Sequence, residues 1–113
     1  MRYTLRVLLI LAAIGVASVA WAGRAPAGPD GAAIFKEKCS MCHGPDGKGY
    51  SAIHTPDFTD PKWQASITDQ QITDTIKNGK KGTAMMAFGN QFKADEIAAL
   101  VKHIRSLNSS KKK

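Results

Sequence analysis

The sequence contains only two cysteines, Cys39 and Cys42, with two residues between them. A small secreted domain held together by disulfides needs more cysteines, so that class is excluded. The chain has few acidic residues, 9 against 16 Lys and Arg, and no basic helix interleaved with aromatics is present, which argues against a nucleic-acid partner despite the positive charge. At 113 residues the chain is too short for a large α/β enzyme, a barrel or several domains.

Long hydrophobic runs are also absent. The apolar run from Val7 to Ala20 has 14 residues, fewer than the roughly 20 that a membrane-spanning helix needs. Two arginines precede this run, and Ala20-Trp21-Ala22 follows it as a small-residue cleavage pattern. We therefore predict that residues 1–22 are a signal peptide cleaved after Ala22 and that the protein is periplasmic or exported. An uncleaved membrane anchor is the alternative, because Trp21 lengthens the apolar stretch.

The rest of the chain has the composition of a globular domain. Removing residues 1–22 from the 113 leaves 91 and lowers the net charge from +7 to +5. Residues 23–29 are rich in Gly and Pro and predict a linker. The domain is predicted over residues 30–107, and residues 108–113, which end in three lysines, are predicted to be a basic disordered tail.

Residues typical of helix starts and ends occur at several points along the domain, and no segment has a convincing strand pattern. Asp30 is a predicted N-cap for a helix from Gly31 to about Cys39. Asp60 and Pro61 predict a short helix with proline at its first position. Thr68 and Gln71 have the spacing of a capping box for a further helix, with Gly79 as its stop. The inward residues of that helix are predicted to be Ile72 and Ile76.

The last predicted helix runs from about Ala94 to Leu107. It carries an apolar stripe at helical spacing, made of Ile97, Leu100, Val101, Ile104 and Leu107. Two long loops, residues 44–59 and 80–91, leave few residues for a core. The expected fold is all-α, with three or four short helices and something other than side chains filling the middle.

The motif that carries chemistry is Cys39-Ser40-Met41-Cys42-His43. Two thiols separated by two residues on one turn can add to the two vinyl groups of one haem, and the next residue, His43, can then point at the iron. A thioredoxin-like dithiol needs a strand–helix context that is missing here. A zinc site needs more ligands than the distant His54 and His103 supply. A structural disulfide across two residues would be strained and would not need the histidine.

From this motif outwards, residues 30–107 resemble the class I c-type cytochromes, specifically small bacterial soluble monohaem cytochromes. Gly31, Phe35 and the Cys-x-x-Cys-His residues match the first element of that family. The glycine-rich stretch of residues 44–49 resembles the turn after the haem histidine. Residues 79–88, with Met85-Met86-Ala87-Phe88, resemble the distal methionine loop.

The resemblance implies a cytochrome c fold with helices around one covalently attached haem c. It implies thioether links from Cys39 and Cys42 and iron ligation by His43. Pro56 matches the proline whose carbonyl orients the iron-binding histidine in the family. Trp63 lies where some relatives contact a haem propionate, although a role as a core aromatic is equally consistent with its position.

The sixth iron ligand is predicted to be Met85, which aligns with the ligand of the family. Met86 stands where proline is usual and is the first alternative, followed by His54 or an open coordination site. Two further departures concern the last helix. His103 replaces an aromatic and is predicted to be a half-buried packing residue. Lys93 replaces a Ser or Thr cap and predicts a less well capped helix start.

The resemblance implies an electron carrier, not an enzyme, which transfers single electrons between exported or membrane-bound redox partners. Lys48, Lys80 and Lys81 could steer a partner with an acidic docking surface, such as a membrane-bound oxidase, reductase or reaction centre. Contact with the membrane itself is expected only if residues 1–22 are retained. Two alternatives stay open: a haem enzyme or gas sensor with five-coordinate iron, and a permanent haem subunit of a respiratory or photosynthetic membrane complex.

Overall fold

The computed structural model describes residue 23 and residues 27–112, so the predicted signal peptide lies outside the described residues. Within residues 27–112 all regular structure is helical, which confirms the all-α fold class. None of the helices in this part of the chain is both long and apolar enough to cross a membrane.

The first helical segment is longer than its sequence signals predict. It consists of α1 (Gly31–Ile34), a π-helical turn (Phe35–Cys39) and α2 (Ser40–His43). The Asp30 carboxylate caps it as predicted, accepting from two backbone N–H groups at 3.0 and 3.2 Å. The Ser40 N–H donates to the Phe35 carbonyl across the π turn, so the backbone stays helical as far as His43.

Two central helices begin and end where local sequence signals place them. α3 (Pro61–Ser66) starts with proline, and the Asp60 carboxylate accepts from the Lys62 N–H at 2.9 Å. α4 (Asp69–Asn78) has the predicted capping box, with Thr68 and Gln71 bonded to each other's backbone at 3.1 and 2.9 Å. It ends at Gly79, as expected.

The last long helix is α5 (Ala94–Ser106). Lys93 cannot accept a capping hydrogen bond, and Glu96 compensates because its carboxylate accepts the Lys93 N–H at 2.7 Å. Four of the five predicted stripe residues are buried, and Leu107 is half-buried beyond the helix end.

The core lies where the first segment crosses α5. A side chain at Gly31 would collide with the Ala99 carbonyl, so the two backbones touch at this point. Phe35 is 2% exposed, and its ring centroid lies 5.0 Å from that of His103, which is half-buried as predicted. The buried apolar residues are Phe35, Phe58, Ile72, Ile76, Ile97, Leu100, Val101 and Ile104.

The structure describes residues 108–112 of the predicted basic tail. Ser109–Lys112 form a 3-10 turn. The Ser109 N–H donates to the Thr59 carbonyl at 3.0 Å, which fastens the tail to the loop before α3. This long-range backbone contact leaves no trace in local composition, and so the sequence did not reveal it.

Candidate haem-binding site

The two cysteines lie three positions apart near the end of the first helical segment. Cys39 ends the π turn and is half-buried, whereas Cys42 in α2 is exposed, and neither forms a disulfide. Burial, and secondarily the neighbouring Cys42, raises the pKa of the Cys39 thiol to about 11. A thioredoxin-like nucleophile needs a lowered pKa, so that alternative is disfavoured. Residues 27–112 contain no cluster of three or more metal-ligating side chains, so the zinc alternative gains no support either.

His43 follows Cys42 directly and ends α2. Its ring stacks on Phe58, with centroids 4.8 Å apart and planes inclined by 20°. Burial lowers the pKa of the His43 imidazole, which favours the neutral form that binds metal ions. The His43 Nδ1 atom is buried and has no hydrogen-bond partner among the described residues.

The His43 Nδ1 atom makes no hydrogen bond to the Pro56 carbonyl here, and the orienting role of Pro56 stays a prediction. The Pro56 oxygen instead faces Gly49, where an added Cβ would lie 2.7 Å from it. Gly49 has φ +70°, and its N–H donates to the His43 carbonyl at 2.8 Å. Pro56 is therefore held close to the histidine loop through Gly49, while the His43 ring lies on Phe58.

Trp63 is half-buried, and its ring centroid lies 4.7 Å from that of Phe58. It also packs against the apolar core, which corresponds to the core-aromatic alternative stated for it. Phe58 therefore contacts both Trp63 and His43. The propionate contact of Trp63 stays a prediction.

The methionine loop is held by backbone bonds at both ends. The Lys80 N–H donates to the Met85 carbonyl at 3.0 Å, and the Phe88 N–H donates to the Ile76 carbonyl at 2.9 Å. Met85 is half-buried, whereas Met86 is 62% exposed. His54, the more distant alternative ligand, is exposed in another loop.

A family model described as cytochrome c oxidase, cbb3-type, subunit III, matches residues 26–104. The chain belongs to this family. Its match covers the Cys-x-x-Cys-His motif, the methionine loop and nearly all of α5. The resemblance to class I c-type cytochromes is thereby confirmed.

Curated relatives are similar to the same region. The cbb3-type cytochrome c oxidase subunit FixP of Azorhizobium caulinodans is 35% identical over 75% of this chain and 29% of its own length. The CcoP subunit of Rhodobacter capsulatus is 38% identical over 46% of this chain and 18% of its own length. The chain thus spans less than a third of these relatives.

Solved structures support the fold. The KustC0563 c-type cytochrome superposes with a TM-score of 0.65 at 30% identity, covering 70% of this chain and 98% of that one. Cytochrome cL of Methylophaga aminisulfidivorans superposes with a TM-score of 0.58 at 26% identity, covering 69% of this chain and 51% of that one.

As a c-type cytochrome domain, the chain carries covalently bound haem c with its iron. The residues present fit this group. Two free thiols lie three positions apart on a helical segment, where side chains are neighbours. Half-buried apolar side chains, Trp63 and Phe88 among them, border the core that His43 approaches.

Sequence reasoning missed three residues that support the site. Phe58 contacts His43, Gln64 is buried in α3, and Arg105 bonds to Gln64 from α5. Gln64 and Arg105 are 41 positions apart, so no local pattern could pair them.

Proposed function

We propose that the chain transfers single electrons through one haem c that is held by Cys39 and Cys42 and ligated by His43 and Met85. The observation that carries the proposal is the free Cys39–Cys42 pair at the end of one helical segment, directly followed by a half-buried histidine. Haem iron held by these residues would supply the electron-transfer chemistry through its ferric and ferrous states.

The residues of the chain would keep that cycle free of side reactions. Both cysteines would fix the group covalently, so that it cannot dissociate between turnovers. His43 would offer a neutral imidazole nitrogen, which its lowered pKa favours. Met85 would offer a thioether, which raises the reduction potential and closes the iron to outside ligands.

Similarity to oxidase subunits supports one setting in particular. The FixP and CcoP relatives are subunits of cbb3-type oxidases, and the family model carries the same description. We therefore place this domain as a haem subunit that passes electrons into a membrane-bound oxidase. Export by residues 1–22 is part of the proposal, since haem c is attached outside the cytoplasm.

A freely diffusing carrier is the second candidate setting. It is favoured by the similarity to KustC0563, a c-type cytochrome that this chain covers over 98% of its length. The exposed Lys80 and Lys81 in the methionine loop would then steer an acidic partner. Retention of the protein in washed membranes, together with oxidase subunits, supports the subunit setting, whereas release with the periplasmic fraction supports the diffusing carrier.

Absorption spectroscopy of protein made in a host that attaches haem c tests the chemistry. We expect a low-spin spectrum that carbon monoxide does not change, with the weak red charge-transfer band of an iron–sulfur bond. Met85→Ala should abolish that band and open the iron to carbon monoxide. Met86→Ala is the matched control and should change neither property, because this side chain is 62% exposed.

A high-spin spectrum in the unaltered protein, shifting under carbon monoxide, would overturn the carrier proposal in favour of a haem enzyme or gas sensor. If the band is lost in Met86→Ala and survives in Met85→Ala, Met86 is the sixth iron ligand in place of Met85. The proposed electron transfer through haem c would still stand. Absence of covalent haem would refute the proposal altogether.

A further inference from the structure

Phe58 connects His43 to the apolar core. It is 5% exposed, and one face of its ring stacks on His43 at 4.8 Å. Phe35 meets it edge-on at 6.2 Å, and Trp63 lies at 4.7 Å. Because the Phe58 ring is enclosed by other rings, its plane is fixed by packing, and a stacked imidazole must follow that plane.

The backbone of Phe58 is fixed on both sides as well. Its N–H donates to the Gly47 carbonyl at 2.8 Å, in the loop that follows His43. Its carbonyl accepts from the Gln64 side-chain amide at 2.7 Å. Gln64 is only 6% exposed, and its second amide N–H donates to the Ile104 carbonyl in α5 at 2.9 Å. Gln64 therefore ties Phe58 to the last helix.

Arg105 determines which way the Gln64 amide points. Its Nη1 donates to Gln64 Oε1 at 3.0 Å and to the Gln64 backbone carbonyl at 2.7 Å. Its Nη2 donates to the Ile67 carbonyl, and its Nε donates to the Asp69 carboxylate, both at 2.6 Å. A guanidinium has only donors, so the oxygen of Gln64 must face Arg105 and the nitrogen must face the two carbonyls.

We propose that Phe58 is a positioning residue that sets the plane of the His43 ring, and that Gln64, oriented by Arg105, holds Phe58 in place. The inference rests on the proposed function, because it takes His43 as the iron ligand. Partners outside the ligand shell commonly orient a metal-binding imidazole by hydrogen bonding. In this structure the stack on Phe58, with ring centroids 4.8 Å apart and planes inclined by 20°, restrains the plane of the His43 ring.

Two spectra of the ferric holoprotein test the proposal. The low-spin g values from electron paramagnetic resonance and the haem methyl proton shifts from proton NMR both depend on the plane of the axial imidazole. Phe58→Leu removes the stacked ring, and Gln64→Leu removes both amide donors at similar volume. Both variants should shift the largest g value and change the spread of the methyl resonances. Arg105→Lys keeps the positive charge but loses the several N–H donors of the guanidinium group. It should shift the largest g value by a smaller amount in the same direction.

Ile72→Ala is the matched control. Ile72 is 4% exposed in α4 and takes part in none of these ring contacts or hydrogen bonds, so its loss should lower the unfolding midpoint while the g values stay at the wild-type position. If the Phe58 and Gln64 variants also unfold more easily but keep wild-type g values, their role is only structural and the proposal is wrong. If either variant fails to fold with haem, the Arg105→Lys variant serves as the test. A shifted g value in its spectrum supports the proposal, and a wild-type g value contradicts it.

Failure of the proposed function would give a different result in the spectrum of the wild-type protein. A wild-type protein without covalent haem, or without a low-spin ferric signal, would refute the assignment of the iron ligands. A wild-type low-spin signal that no variant moves would refute only the positioning roles.

Discussion

Gly79 connects α4 to the methionine loop, and its replacement by alanine should loosen the proposed iron–sulfur bond. Its backbone has φ +72° and ψ −175°, a region that is essentially restricted to glycine. An added Cβ would lie 2.7 Å from the Met85 carbonyl oxygen and 3.0 Å from the Ala87 nitrogen. The substitution therefore strains the backbone and also pushes the loop away from α4.

The two effects can be separated with Gly82, which lies in the same loop. Gly82 also has positive φ, at +80°, but an added Cβ would meet nothing within 4 Å. Backbone strain alone costs about 1–3 kcal/mol. Crowding against a packed neighbour adds about 1–3 kcal/mol. We expect Gly79→Ala to lower the free energy of unfolding by about 2–6 kcal/mol and Gly82→Ala by only the strain contribution.

Denaturant unfolding of both holoproteins measures the free energies, and the red charge-transfer band reports the iron–sulfur bond. Gly79→Ala should weaken or abolish the band, whereas Gly82→Ala should leave it intact. Equal destabilisation by the two substitutions, with the band unchanged in both, would show that Gly79 does not hold Met85 and would refute this reasoning.

Three further predictions concern stability. Leu100→Ala should cost about 3 kcal/mol in denaturant unfolding, because Leu100 is fully buried at the helix crossing. Thr68→Ala should lower the thermal midpoint by an amount equivalent to about 1 kcal/mol, through loss of the capping box of α4. Burial lowers the pKa of His103, against an opposing effect of Asp30, so the unfolded chain binds the proton more readily and stability should fall as pH drops below about 6.5. His103→Phe should reduce that dependence in acid titrations of the unfolding midpoint, and His43, whose pKa burial also lowers, should account for part of the remainder.

Helix boundaries were predictable where a cap is set by neighbouring residues. Asp30 accepts from N–H groups two and three positions ahead, and Thr68 and Gln71 satisfy each other three positions apart. These signals lie within one turn, so the sequence displays them directly. The extension of the first segment to His43 was missed because a π turn has no comparable signature.

The chemistry-bearing residues of the site were also local in sequence. Cys39, Cys42 and His43 form one motif, and Met85 and Met86 are adjacent in one loop, so the sequence displays all of these candidates directly. Which of the two methionines binds the iron stays a prediction. The supports of the site were not predictable. Gln64 looks like a surface residue of a short helix, and its burial depends on carbonyls and a guanidinium contributed by α5, about 40 positions away.

The two proposed iron ligands are supported by different parts of the fold. Met85 depends on Gly79 and on backbone bonds between its loop and the end of α4. His43 depends on Phe58, which Gln64 fastens to α5. The bonds that hold the Met85 loop lie at the C-terminal end of α4, whereas Arg105, which orients Gln64, bonds to Asp69 at the N-terminal end of that helix. Because the two sets of contacts share no residue, we expect a substitution in one set to alter mainly the proposed ligand that it supports.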